Sequence, residues 1–139
     1  MYLDTSVLAK LFIAEPGSEE CAAKVAGESI VSSELAYVEM FSAFLRKERE
    51  GWIKPADRDL SWTAFESRIA DQNIILASLD GAIIGRARML MAEVHPRVPI
   101  RTLDAVHLAT YLSIVAGPLF TADRRMREAA ELLGIQVVD

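Results

Sequence analysis

The sequence predicts an α/β fold in which a mainly parallel sheet is covered by helices on both faces. Short apolar runs of strand length alternate with helical patterns of ten or more residues, punctuated by Gly, Pro and capping residues. No internal repeat, low-complexity tract or long linker interrupts the 139 residues, so a single domain over residues 1–139 is expected.

Met1 to Asp4 reads as the first strand, followed by a helix through Val7, Leu8, Leu11 and Phe12 that Glu15-Pro16-Gly17 breaks. An alanine-rich helix then runs to about Gly27. Ser29 to Ser32 is the second strand, and Ser33 is placed to cap a long helix to Glu50, ended by Gly51. Lys54-Pro55 opens another helix to about Asp71, with Leu60, Phe65 and Ile69 on its apolar face. Asn73 to Ala77 is a third strand, followed by a helix through Ile83, Ala87 and Leu90. Pro96 and Pro99 bracket a loop. Thr102 is placed to cap a helix from Leu103 to Val115, which Gly117-Pro118 stops. Leu119 to Thr121 is a strand, Asp123 to Leu133 a helix ended by Gly134, and Ile135 to Val138 the fifth and last strand.

Composition narrows the class. Apolar residues form 52% of the chain, high for this length, which implies spare apolar surface and hence a partner or a dimer face. A single cysteine, Cys21, excludes an internal disulfide and suits a reducing cytosol. Apolar stretches such as Leu108 to Val115 are too short to span a membrane. Val7 to Ala14 carries Lys10 and lacks the basic start and cleavage site of a signal peptide. A cytoplasmic protein with no membrane partner is expected.

Four acids stand against apolar sequence where core is expected. They are Asp4 in Tyr2-Leu3-Asp4-Thr5-Ser6, Glu39 in Leu35-Ala36-Tyr37-Val38-Glu39, Asp104 in Thr102-Leu103-Asp104-Ala105-Val106-His107, and Asp123 in Phe120-Thr121-Ala122-Asp123. An ionised carboxylate is costly to bury unpartnered. Capping alone explains Asp104 or Asp123 taken singly, and a turn role explains Asp4, but their joint occurrence favours one site. Sites in open α/β sheets lie beyond the carboxyl ends of the strands, where Asp4 and Asp123 fall. Asp104 and Asp123 sit at helix starts, which favour a carboxylate. Glu39 lies within a helix, and apolar Leu35 and Ala43 at i−4 and i+4 turn it inward.

Two carboxylates about 5 Å apart repel by roughly 3 kcal/mol at an effective dielectric near 20. A hard divalent cation, Mg²⁺ or Mn²⁺, relieves such crowding through oxygen ligands. Zinc is disfavoured, since Cys21, His95 and His107 have neither the number nor the spacing of a zinc site. His107 shares a helix face with Asp104 and reads as a hydrogen-bonding or packing residue rather than a ligand. No Ser/His/Asp or Cys/His arrangement suggests a side-chain nucleophile.

These motifs, together with Leu103-Asp104-Ala105-Val106-His107-Leu108-Ala109, Phe120-Thr121-Ala122-Asp123-Arg124-Arg125 and the closing Gly134-Ile135-Gln136-Val137-Val138, resemble those of PIN-domain ribonucleases. The likeness extends over the full length and is greatest to VapC-type toxins of toxin–antitoxin pairs. The resemblance implies a three-layer α/β/α sandwich with a central, mainly parallel five-stranded sheet and a Mg²⁺- or Mn²⁺-dependent endoribonuclease. It implies that Asp4, Glu39, Asp104 and Asp123 are both catalytic and metal-holding, with Ser6 and Thr121 as supporting hydroxyls. It further implies a cognate antitoxin, a homodimer, and products with a 5′-phosphate and a 3′-hydroxyl. One departure stands out: many relatives carry another acid or Asn shortly after the fourth acid, where this chain has Arg124, Arg125, Met126 and Arg127.

A net charge of −5 is unusual for a protein that binds RNA phosphates. Two basic runs are candidates for RNA contact, Arg46-Lys47 with Arg49 and Arg124-Arg125 with Arg127, and the second follows a site acid directly. Trp52, Trp62 and Tyr37 read as core or interface rather than base-stacking residues. A phosphotransfer receiver domain also gathers acids at strand ends, but it needs a late lysine, and no Lys follows Lys54. A catalytically silent PIN-like RNA-binding or scaffolding module is the alternative function.

Overall fold

The structure, a computed structural model, describes residues 1–114 and 117–139. Its sheet has strands β1 (Tyr2–Leu3), β2 (Ile30–Ser33), β3 (Ile74–Ala77) and β4 (Leu119–Phe120) in the order β3-β2-β1-β4. All pairings are parallel, with Tyr2 opposite both Val31 and Leu119, and Ser33 opposite Ala77. The helices are α1 (Thr5–Leu8, continued by a 3₁₀ turn Ala9–Leu11), α2 (Ser18–Val25), α3 (Leu35–Arg49), α4 (Pro55–Ala70), α5 (Gly81–Val94), α6 (Thr102–Ser113) and α7 (Arg124–Leu132).

The predicted fifth strand is a correction. Ile135 to Val138 contributes one parallel bridge, Leu119 to Val137, so the sheet has four strands rather than five. Leu119 donates to Gln136 and accepts from Val138, and the next rung is diverted, because the Val138 carbonyl accepts from Arg127 Nη2 at 2.7 Å.

Other boundaries shift by a few residues. Ser33 is the last residue of β2 rather than a cap; Glu34 holds the cap position of α3, and the Ser33 hydroxyl accepts from Leu35 N at 3.2 Å. Thr102 is the first residue of α6, with Arg101 before it at the cap. Val115, the predicted end of that helix, lies outside the described residues. Pro55 opens α4 as predicted, where its missing N–H costs nothing.

Alternation along β1 and β4 sorts the core into two layers. Tyr2 and Leu119 face a cluster with Val94, Leu108 and Met126 from α5, α6 and α7. Leu3 and Phe120 face Val7, Met40, Phe44 and Phe65 from α1, α3 and α4. Each such fully buried side chain contributes roughly 1.5–3 kcal/mol of apolar transfer, which offsets the burial of polar groups at the strand ends. The three-layer α/β/α arrangement brings the carboxyl ends of β1 and β4 together with the starts of α1, α6 and α7. Among the described residues, no helix is long and apolar enough to cross a membrane.

Candidate active site

Asp4 leaves β1 in an extended conformation and caps α1, its Oδ1 accepting from Val7 N at 3.2 Å. Ser6 Oγ donates to Oδ1 at 2.7 Å, and Thr121 Oγ1 donates to Oδ2 at 2.8 Å across 117 residues of sequence. The two hydroxyls also accept from the β4–α7 connection, Ser6 from Ala122 N at 2.9 Å and Thr121 from Asp123 N at 3.0 Å. Asp4 is 5% exposed, and burial pushes its pKa up; the charge of His107 and the hydrogen bonds from Ser6, Thr121 and Val7 oppose this without cancelling it.

Glu39 projects from α3, half-buried. His107 Nε2 lies 2.8 Å from its Oε2, and Thr5 Oγ1 donates to the same oxygen at 2.5 Å. Burial penalises this carboxylate as well, but the hydrogen bond and charge of His107, with the Thr5 hydroxyl, outweigh it and lower its pKa. On the far side of the ring, His107 Nδ1 is 2.8 Å from the Tyr2 hydroxyl. His107 therefore holds the hydrogen-bonding place expected of it.

Asp104 lies in the first turn of α6, where Oδ2 accepts from Arg101 N at 3.1 Å. Its pKa is raised, first by burial and then by the charge of Asp123, against the Arg101 backbone bond and the charges of Arg101 and His107. Asp123 caps α7, Oδ1 accepting from Arg125 N at 2.8 Å and Met126 N at 3.1 Å, with Oδ2 4.0 Å from Arg101 Nη1.

All four acids and Ser6 line one open cleft of about 500 Å³, and the Thr121 hydroxyl is buried directly beneath it on Asp4. The same cleft is lined by basic side chains, Lys10, Arg46, Lys47 and Arg49, and by Arg101 beside Asp123. Arg124 and Arg125 lie outside this cleft and line an adjoining depression with Asp123, Pro99 and Glu128. Lys47 pairs with Glu15, which also stands 3.8 Å from Lys10.

The acids do not close into a cage; among the described residues, no three His, Cys, Asp or Glu side chains are gathered tightly enough to enclose an ion. An open, all-oxygen set nevertheless fits a cation such as Mg²⁺, which binds through one or two carboxylates and keeps several waters. The raised pKa values of Asp4 and Asp104 agree, because a neighbouring cation reverses that shift.

Sequence reasoning missed Thr5, Tyr2, Lys10 and Arg101. Lys10 follows Ser6 at i+4, one turn of helix along the same face, and that spacing was the available signal. For Tyr2, whose partner is 105 residues away, no local signal exists.

Residues 1–132 match the family described as PIN domain. Ribonuclease VapC46 of Mycobacterium tuberculosis (strain ATCC 25618 / H37Rv) is 34% identical over 141 residues, an alignment covering 99% of this chain and 95% of that protein. Ribonuclease VapC35 of Mycobacterium tuberculosis (strain CDC 1551 / Oshkosh) is 32% identical over 147 residues, with 99% of this chain and 95% of the relative covered.

Proposed function

Because the chain belongs to the PIN-domain family, we propose that it is a divalent-metal-dependent endoribonuclease, the toxin of a toxin–antitoxin pair. The observation that carries this reading is the cleft lined by Asp4, Glu39, Asp104 and Asp123, two of them pushed toward protonation by burial. Asp4 and Asp104, with Glu39 and Asp123 beside them, would hold Mg²⁺ or Mn²⁺. The bound cation supplies an acidified water and a polarised phosphoryl oxygen.

The chain's own residues do the rest. Ser6 and Thr121 keep the buried Asp4 carboxylate fixed against the strand ends. Glu39, held ionised, accepts the proton of the attacking water. Water oxygen bonds to phosphorus in line as the bond to the 3′ oxygen breaks; that oxygen takes a proton, leaving a 3′-hydroxyl and a 5′-phosphate. Lys10, Arg46, Lys47 and Arg49 contact RNA phosphates on one side of the acids, and Arg124 and Arg125 on the other. A net negative protein thereby presents a local basic track.

Partners follow from the same reading: RNA as substrate, a protein antitoxin covering the cleft, and a second copy of the chain, in the cytoplasm. Exposed Tyr37, Val38, Phe41 and Leu60 on α3 and α4 supply apolar surface for such contacts.

The test is cleavage of a panel of transfer and ribosomal RNA in Mg²⁺ or Mn²⁺. The wild type cuts at discrete sites, and Asp4→Asn and Asp104→Asn do not, although both fold. A wild type that binds RNA and cuts none of it in either metal is instead the silent PIN-like module. Induction of the wild type in a bacterial host arrests growth and induction of Asp4→Asn does not; indifference to both removes the toxin assignment.

A further inference from the structure

Resting on the nuclease reading, the geometry points to Tyr2, Thr5 and His107 as positioning residues that grip one oxygen of Glu39 and leave the other free for the reaction. Both hydrogen bonds to this carboxylate end on Oε2, from Thr5 Oγ1 at 2.5 Å and His107 Nε2 at 2.8 Å. A carboxylate only accepts, so Nε2 carries a proton. In a neutral ring Nδ1 is then the acceptor and the Tyr2 hydroxyl, 2.8 Å away, donates to it; in a charged ring Nδ1 donates to the Tyr2 oxygen, and Nε2 holds Glu39 in either state.

Packing holds the same arrangement. His107 is 3% exposed and Tyr2 is fully buried. The Tyr2 ring meets the rings of His107 and Tyr111 edge-on, at centroid distances of 6.0 and 5.7 Å. The imidazole is enclosed, and turning it would break both of its hydrogen bonds.

Among the described residues none donates to Oε1 and no buried side-chain oxygen lacks a partner, so Oε1 is the oxygen open to the cleft that Glu39 lines. A glutamate on a helix is otherwise free about its terminal bonds, and a misplacement of about 1 Å can cost about 10²-fold in rate. The grip removes that freedom and makes Glu39 a one-oxygen base or ligand with a set aim. It draws on four elements: β1, α1, α3 and α6.

The test has an arm that needs neither metal nor RNA. The chain has two histidines, so nitrogen-15 NMR resolves His107 beside His95. A ring protonated at Nε2, alone or with Nδ1, supports the grip; a ring protonated only at Nδ1 overturns it. In cleavage assays, His107→Leu lowers kcat about 10–100-fold while KM for RNA stays unchanged. His107→Gln, whose amide nitrogen falls where Nε2 stood, recovers most of the loss, and Tyr2→Phe lies between. A Gln variant no better than Leu overturns the proposal, as does a Leu variant as fast as the wild type. If His107→Leu does not fold, the Gln and Phe variants decide: Gln at wild-type rate with Phe slowed supports the grip, and Phe at full rate overturns it. A wild type that cuts no RNA removes the nuclease reading instead, and the NMR arm still reads the grip itself.

Discussion

Asp4 and Glu39 face one cleft and are held in opposite ways. Asp4, at the end of β1, is almost sealed from water and bonded by neutral donors: two hydroxyls and one backbone N–H. Glu39, on α3, is more open and bonded by an imidazole. Burial dominates the first and raises its pKa; a charge-capable partner outweighs burial in the second and lowers it. Hydroxyls orient a carboxylate but do not neutralise it, so Asp4 keeps a deficit of positive charge that the proposed cation would fill.

The largest test of this contrast combines activity with stability. Asp4→Asn and Glu39→Gln both reduce cleavage by at least about 10²-fold. Their effects on the metal-free fold differ in direction. Asp4→Asn leaves the melting temperature unchanged or raises it, because it removes an unfavourable charge; Glu39→Gln lowers it. Melting curves that move together erase the distinction.

Removing the Thr121 hydroxyl is the next largest. Thr121→Ala takes a donor from Asp4 and an acceptor from Asp123 N, and costs about 1–3 kcal/mol in chemical denaturation. An unchanged midpoint means that Asp4 does not depend on this link.

The pH dependence of metal-free stability is smaller and has two signs. Asp4 is raised above 3.8, so the native state keeps a proton that the unfolded chain has lost; its contribution declines as pH rises from about 3.8 through the folded value. Glu39 is lowered below 4.5, so its contribution is present above 4.5 and is lost as pH falls through the folded value. Asp4→Asn flattens the first slope, Glu39→Gln the second, and Mn²⁺ raises stability more at pH 7 than at pH 4. Denaturation midpoints measured across pH 3–8, with and without Mn²⁺, check all three statements.

The smallest effect belongs to the rim. Arg124 is 87% exposed at its side chain, so Arg124→Ala leaves thermal stability unchanged. It weakens RNA binding evenly across sequences and lowers the salt slope by about 1.

Much of this was legible in the sequence because a carboxylate in apolar surroundings is locally conspicuous. The elements carrying the acids were equally legible, since Gly51, Pro55, Pro118 and Gly134 punctuate them. The grip on Glu39 was not legible, because its partners lie 34 and 68 residues away and meet only when α1 and α6 pack beside α3. The basic wall was half legible. Arg46, Lys47 and Arg49 stood out as a run, but only the packing of α3 against α1 turns them into the cleft. The fifth strand failed for a reason outside its own residues: Ile135 to Val138 has strand composition, but the Arg127 side chain takes the Val138 carbonyl that a longer ladder would use.

The bond from Thr121 to Asp4 also bears on when the protein becomes dangerous to its host. Its two ends are 117 residues apart in sequence, so a ribosome must release everything from Asp4 to Thr121 before they can join. Until then Asp4 lacks its tether and the cleft its floor. A chain that stops short of Thr121 lacks the bond that fixes the Asp4 carboxylate, on which the proposed cleavage rests.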